Sequence, residues 1–339
     1  MQDTRFESLK LWLKSLSNEL GIIIDSITPA SNDASFRRYF RVFSSNKDYS
    51  SFIVMDAPPD KEDSNPFIHV ANLLLQAEIT VPKIYEKNIN EGFLLLSDLG
   101  NDTLLMKINS ENAAKLYKNV SATLIKIQKN TKTDQLPIYN EELLRRELML
   151  FPDWYLKQHL EYKISDKESE DLNRIFDEII ENNVQQPSVF VHRDFHSRNL
   201  MITPDNQIGV LDFQDAVIGP ITYDLVSVFR DAYIEWNEEQ QMDWVIRYWE
   251  SAKREGLPVN EDFGEFYKDF EWMGLQRHLK VLGIFARLYH RDGKDGYLKN
   301  LPLVLQYTEK VAQRYSSFKP LVRILDNAHN RKRPDGLTF

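Results

Sequence analysis

The chain has 339 residues, 42% of them hydrophobic and 27% charged, which suits one large bilobal unit or two domains and not a disordered chain. Its net charge of −9 argues against nucleic acid or an anionic membrane as the main partner. The absence of cysteine excludes disulfides, thiolate catalysis and cysteine-ligated zinc.

The opening stretch, MQDTRFESLKLWLKSL, is broken by Lys10 and Lys14 and forms no signal-peptide core. Apolar runs such as Phe93 to Leu96 are too short to span a bilayer. The expectation is a soluble cytoplasmic protein. Phe6, Leu9, Leu13, Leu16 and Leu20 recur at helical spacing and predict an amphipathic helix over 4–20. Short β-rich runs follow at 22–24, 39–43 and 52–55, with a polar loop at 29–35 between the first two. A helix is predicted over 65–77, where Asn65-Pro66 makes a good start. Two more strands are predicted at 84–85 and 93–96, before a polar break from Ser97 to Asp102.

Beyond that break the pattern turns helical, with helices predicted over 110–130, 140–160, 166–182, 222–234, 238–255, 262–291 and 296–315. A strand-rich island interrupts them at 189–191, 200–202 and 208–211. The basic, polar tail from Asn327 to Phe339 is expected to fray. A strand-rich part, 1–98, thus precedes a larger helical part, 99–339, with a hinge at 97–103, the kind of crevice where ligands bind.

The island carries the chemistry. It reads Val191-His192-Arg193-Asp194-Phe195-His196-Ser197-Arg198-Asn199-Leu200, and Leu211-Asp212-Phe213-Gln214-Asp215 follows. Phosphoryl transfer needs a carboxylate to orient the acceptor hydroxyl and take its proton. It also needs oxygen ligands for a magnesium that bridges the nucleotide phosphates. A loop hung between short strands supplies all three, with Asp194 as base and Asn199 and Asp212 as metal ligands. A single Asp or Asn in a turn is usually a turn former; several fixed identities at fixed spacing favour the functional reading.

The pattern H-R-D-x-x-x-x-N, then a strand, then D-F, resembles the kinase catalytic loop and metal motif. The Phe195-His196 pair moves the resemblance to the aminoglycoside phosphotransferase and choline kinase superfamily. The strings PASNDASFRRYFRV (29–42), VMDAPPD (54–60), FLLLSDLG (93–100), VHRDFHSRNLM (191–201) and LDFQDAVIGPITYDLVSVFRDAYIEW (211–236) are similar to the bacterial anomeric sugar kinases of cell-wall recycling. Those enzymes use ATP to phosphorylate N-acetylmuramate and N-acetylglucosamine at the anomeric hydroxyl. The similarity covers most of 25–236.

The resemblance implies an α+β, bilobal, protein-kinase-like fold, with a small antiparallel-sheet N-lobe and a larger, mainly helical C-lobe. It implies ATP and Mg²⁺, an amino-sugar acceptor, and neither nucleic acid nor membrane as partner. Around the nucleotide it points to Ser31, Asn32 and Ser35, in a loop that is not glycine-rich, and to Asp98 and Leu99 at the hinge. The strand at 52–55 lacks the superfamily's phosphate-binding lysine, and helix 65–77 offers no partner glutamate. One of Arg37, Arg38 and Arg41, with Arg38 the choice here, would replace that cation unless these arginines are only a solvated strand. His196 and Arg198 would meet the acceptor or the transferred phosphate, or else brace the loop. Gln214 and Asp215 would meet a sugar hydroxyl or neighbour the metal. A lactyl carboxylate would want Arg198 or Arg230. Asp224 would open a helix and brace the catalytic loop, and His192 would orient its backbone. The aromatic stretches 146–155 and 229–233 would line the acceptor pocket or the core. Two rival readings stand: another small alcohol acceptor, such as an aminoglycoside, choline, homoserine or methylthioribose, and a nucleotide-binding pseudokinase suggested by the missing lysine.

Overall fold

The computed structural model describes residues 3–32 and 36–331. In chain order the elements begin with α1 (Thr4–Leu20), β1 (Thr28–Asn32), β2 (Arg38–Phe43), β3 (Ser51–Asp56), α2 (Asn65–Gln76), β4 (Ile84–Asn88), β5 (Phe93–Ser97) and α3 (Leu104–Lys107). Next come α4 (Ala113–Asn130), α5 (Glu141–Leu148), α6 (Asp166–Gln185), β6 (Ser188–Val191), β7 (Leu200–Ile202), β8 (Ile208–Val210) and β9 (Val217–Pro220). The chain ends through α7 (Tyr223–Phe229), α8 (Glu238–Arg254), α9 (Phe263–Asp292), α10 (Leu301–Arg314) and α11 (Lys319–Ala328). A five-stranded antiparallel sheet followed by a mainly helical remainder is the α+β arrangement expected. The chain divides into two compact units, Met1–Lys107 with Asn199–Asp215, and Ile108–Arg198 with Ala216–Phe339.

The first unit is built on the sheet, in the order β1-β2-β3-β5-β4. Strand alternation sends Phe52 and Val54 of β3, and Phe93 and Leu95 of β5, to one face, where they bury Leu9 and Leu13 of α1. Each such side chain contributes about 1.5–3 kcal/mol by leaving water. The carboxylate of Asp3 caps α1 by accepting the Phe6 N–H at 3.0 Å. Gly21, at φ 65°, ends the helix in the left-handed region. That ending corrects one expectation. The isoleucine run at 22–24 is not a strand, because only Ile22 bridges to Ser44 before a 3₁₀ turn at Ile24–Ser26.

The hairpin of β7 and β8 belongs to this unit too. The N–H of Val210 donates to the Thr80 carbonyl at 2.8 Å, and that of Ile202 to the Asp102 carbonyl at 2.7 Å. Phe213, just after the hairpin, packs on Phe67 of α2 with ring centroids 4.8 Å apart.

In the second unit, β6 pairs with β9, a strand that the sequence did not announce. The 30-residue α9 has buried residues from Phe266 to Ala286. Gly283 lets α9 approach Leu150 closely, since a Cβ there would lie 2.4 Å from the Leu150 carbonyl carbon and oxygen. The single helix expected over 140–160 is instead α5 followed by a π-helical turn at Phe151–His159. Pro152 has no N–H to continue an α-helical ladder, and the Leu160 N–H donates five residues back, to Tyr155, at 3.0 Å. Among the described residues, no helix is long and apolar enough to cross a membrane.

Candidate active site

The loop after β6 is held by buried carboxylates of the second unit. Asp224, fully buried near the start of α7, accepts the backbone N–H groups of His192 at 2.6 Å and Arg193 at 3.0 Å. Burial pushes its carboxyl up to about 6, against the pull of His192 and those two N–H groups. Asp231, 2% exposed, accepts the Ser197 N–H at 2.8 Å. His192 is buried, and its Nδ1 accepts the Asp194 N–H at 3.2 Å. Arg193 sits at φ 76°, a left-handed conformation unusual for a side-chain-bearing residue. Both ends of it are gripped. Its guanidinium donates to Glu147 at 2.5 Å, and its carbonyl accepts from Arg277 at 3.1 Å.

Asp194 hangs from this frame amid cations. Burial alone would raise its carboxyl, but Lys280, His196, Arg277 and His192 outweigh burial and hold it at about 2. Lys280 and Arg277 come from α9, one helical turn apart. Lys280 donates to Glu147 and to the Tyr223 hydroxyl, each at 2.9 Å. Glu147 of α5 also receives the Tyr139 hydroxyl. Sequence reasoning missed Arg277 and Lys280, and it met Glu147 and Asp231 only inside the stretches 146–155 and 229–233, without these partners. The signal was present for α9, where Gln276, Arg277, His278 and Lys280 fall together between the apolar runs 272–275 and 281–286 of a long helix.

Asn199 and Asp212 lie in the first unit, at the two ends of the β7–β8 hairpin. The Leu211 N–H donates to the Asn199 carbonyl at 2.9 Å. The Asn199 side chain meets Asp212 at 3.3 Å, and the Gln214 amide donates to Asp212 at 2.8 Å. Asp212 has φ 62°, a second left-handed residue. The Gln214 Oε1 is buried without a hydrogen-bond partner among the described residues.

The arginines of β2 separate by partner. Arg38 grips Asp56 through two nitrogens, at 2.9 and 2.5 Å, and also pairs with Asp3. Arg41 clamps Asp98 at 2.6 and 2.9 Å, and Ser51 donates to the same carboxylate at 2.7 Å. Burial pushes Asp98 up, and Arg41, Ser51 and the Gly100 N–H more than reverse it. Arg37 pairs with Glu62 at 3.1 Å and feels the charge of Asp212. Arg37 is thus in electrostatic reach of Asp212, and its partner Glu62 precedes α2 rather than sitting in it. Leu99 is half-buried against Gly209 of β8. Ser31 and Asn32 pair with Tyr39 and Arg38 at the end of β1, and Ser35 lies outside the described residues.

Among the remaining expected residues, Asp215 is exposed and Gln214 is bound to Asp212. Arg230 is 5% exposed and bound to Glu271 and Tyr267, each at 3.1 Å. It lines a cavity of about 10 Å³, the room of a single water. His196 and Arg198 flank Tyr233, with ring centroids 5.4 Å apart for the histidine and the guanidinium carbon 3.8 Å above the ring for the arginine.

Residues 26–259 match the phosphotransferase enzyme family, APH. The chain belongs to that family. It is 45% identical to the N-acetylmuramate/N-acetylglucosamine kinase of Neisseria meningitidis over 94% of both chains. It is 43% identical to the kinase of that name from Pseudomonas aeruginosa, over 95% of this chain and 96% of the other. Its fold is that of the choline kinase LicA from Streptococcus pneumoniae, with a TM-score of 0.62 at 12% identity over 90% of this chain and 99% of that one. An ADP-bound aminoglycoside phosphotransferase gives a TM-score of 0.59 at 14% identity over 92% of this chain and 99% of that one. The chain is therefore a phosphotransferase on a kinase-like fold, as the motif around Asp194 and Asp212 led one to expect.

Proposed function

We propose that this phosphotransferase uses ATP to phosphorylate the anomeric hydroxyl of N-acetylmuramate and N-acetylglucosamine. The observation that carries the reading is the 42–45% identity, over at least 92% of this chain, to three proteins bearing that name. ATP as donor is supported by the ADP in one structural relative.

Asp194 is the base. Held anionic at about 2, it stays ready across physiological pH to orient the acceptor hydroxyl and receive its proton. Such a low basicity suits an anomeric hydroxyl, which is more acidic than an ordinary alcohol. Proton transfer to a positioned side chain is typically worth about 10²–10⁴-fold in rate. Lys280 and Arg277 keep the carboxylate charged, and Asp224 and Asp231 fix the loop that aims it.

Asn199 and Asp212 would hold magnesium. The donor set fits: a carboxylate, an amide carbonyl and the orphaned Gln214 Oε1 nearby supply hard oxygen. Magnesium is ordinarily bound by one or two carboxylates together with phosphate and water oxygens, which would complete its shell here. When bound, the ion neutralises charge on the nucleotide phosphates. The test is incubation with ATP and a panel of sugars, reading acid-labile sugar 1-phosphate by mass spectrometry. Product from both N-acetylated sugars is the expected result, and transfer to a 6-hydroxyl alone would overturn the anomeric assignment.

A further inference from the structure

Three arginines around the catalytic loop are already engaged. Arg193 is on Glu147, Arg230 on Glu271, and Arg277 on the Arg193 carbonyl and the Tyr223 hydroxyl. Arg198 differs. Among the described residues it makes no salt bridge and no hydrogen bond, and it is held by ring faces instead. Its guanidinium carbon lies 3.8 Å from the Tyr233 centroid and 5.7 Å from that of Tyr297. Phe285 ties the two tyrosines together, at 6.2 and 5.2 Å, into one aromatic wall. Stacking fixes the plane of the guanidinium while leaving its N–H edge unused.

The wall stands beside the base. His196 packs edge-on against Tyr233. Burial lowers the basicity of its imidazole; Asp231 and Asp194 pull it up, and Arg277 and Arg198 push it down. His196 thus senses both the catalytic carboxylate and the stacked arginine. Its Nδ1 is buried with no partner among the described residues, an orphaned polar atom that a bound ligand would satisfy. All of these residues belong to the second unit, together with Asp194.

We propose that Arg198, stacked on Tyr233 and Tyr297, is the receptor for a carboxylate on the acceptor sugar, and that it sets the preference for the acidic over the neutral amino sugar. The inference rests on the sugar-kinase reading above and names the group that reads the substrate. A planar guanidinium matches a carboxylate through two parallel hydrogen bonds. N-acetylmuramate carries such a group on its lactyl ether and N-acetylglucosamine does not. Because the stack orders the arginine before binding, little side-chain entropy remains to be lost when the acid arrives.

The experiment compares N-acetylmuramate with its neutral carboxamide in wild type, Arg198→Gln and Arg198→Lys, using sugar 1-phosphate formation to obtain kcat and KM. In Arg198→Gln the acid-to-amide ratio of kcat/KM should fall by about 10- to 100-fold, as loss of a charge-assisted pair implies, and mainly through KM. Arg198→Lys, which keeps the charge and loses the stack, should fall between. An unchanged ratio in an active variant overturns the proposal and leaves the sugar-kinase reading standing. Equal loss with both acceptors through kcat also overturns it, because the arginine would then act on the transferred phosphoryl group. A wild-type enzyme that phosphorylates neither N-acetylated sugar removes the functional reading and the proposal together.

Discussion

Glu147 is the residue on which the buried charge around the catalytic loop balances. It is 5% exposed and holds Lys280 and Arg193 at 2.9 and 2.5 Å. Burial pushes its carboxyl up, but Lys280, Arg193 and Tyr139 bring it to about 2, well below its ordinary 4.5. An acid whose pKa is depressed by folding contributes stability above its unfolded pKa and loses it as pH falls through the folded one. Glu147→Gln should therefore lower the unfolding free energy at pH 7 by about 3–5 kcal/mol, because buried Lys280 and half-buried Arg193 lose their counter-charge. The gap between wild type and variant should narrow below about pH 4.5. Urea unfolding across a pH series checks this, and a gap of equal size at pH 7 and pH 3.5 would sink it.

At the scale of the element, α9 brings Lys280 and Arg277 to Asp194, and its position depends on a close approach. Gly283→Ala places a methyl 2.4 Å from the backbone of Leu150, and backbone has little room to yield. The expected cost is about 2–4 kcal/mol, seen as a lower Tm and, because α9 carries the two cations, a lower kcat. A Tm within a degree of wild type would show that the contact is slack. The long periodic helices were legible in the sequence because they bury one apolar stripe, as were β2 and β3 with their β-branched and aromatic runs and β5 as a short apolar run, Phe93 to Leu96. The family motif around Asp194, Asn199 and Asp212 was legible because it sets fixed residues at fixed spacing, and the family it pointed to is the one the chain belongs to. What escaped was set by partners distant in sequence. β9 is a short Val-Ile-Gly-Pro run that makes a strand only because β6 lies beside it. The break before the π-helical turn follows from Pro152, which a reading by apolar period passes over. The engagement of Arg38 by Asp56 and of Arg41 by Asp98 could not be read from β2 alone.

At the scale of the molecule the chemistry is divided. The proposed base, Asp194, lies in the second unit, and the two proposed metal ligands, Asn199 and Asp212, lie in the first. Variants should divide in the same way. Asp194→Asn should keep the magnesium-dependent thermal stabilisation by ADP while losing transfer by about 100-fold or more. Asp212→Asn should lose the magnesium-dependent part of that stabilisation. Thermal shift with ADP, with and without magnesium, separates them, and identical behaviour of the two variants would contradict the division. The hairpin carrying Asn199 and Asp212 has a consequence for inheritance. Val210 and Ile202 donate to the carbonyls of Thr80 and Asp102, so the first unit is a mosaic of two stretches of gene. A single crossover near codon 107 between diverged relatives would graft one lineage's sheet onto the other's hairpin. Exchanging this unit alone takes three breakpoints, near codons 107, 198 and 215, whereas a single crossover beyond codon 215 passes it on whole, and chimeric enzymes should be designed with those boundaries in hand.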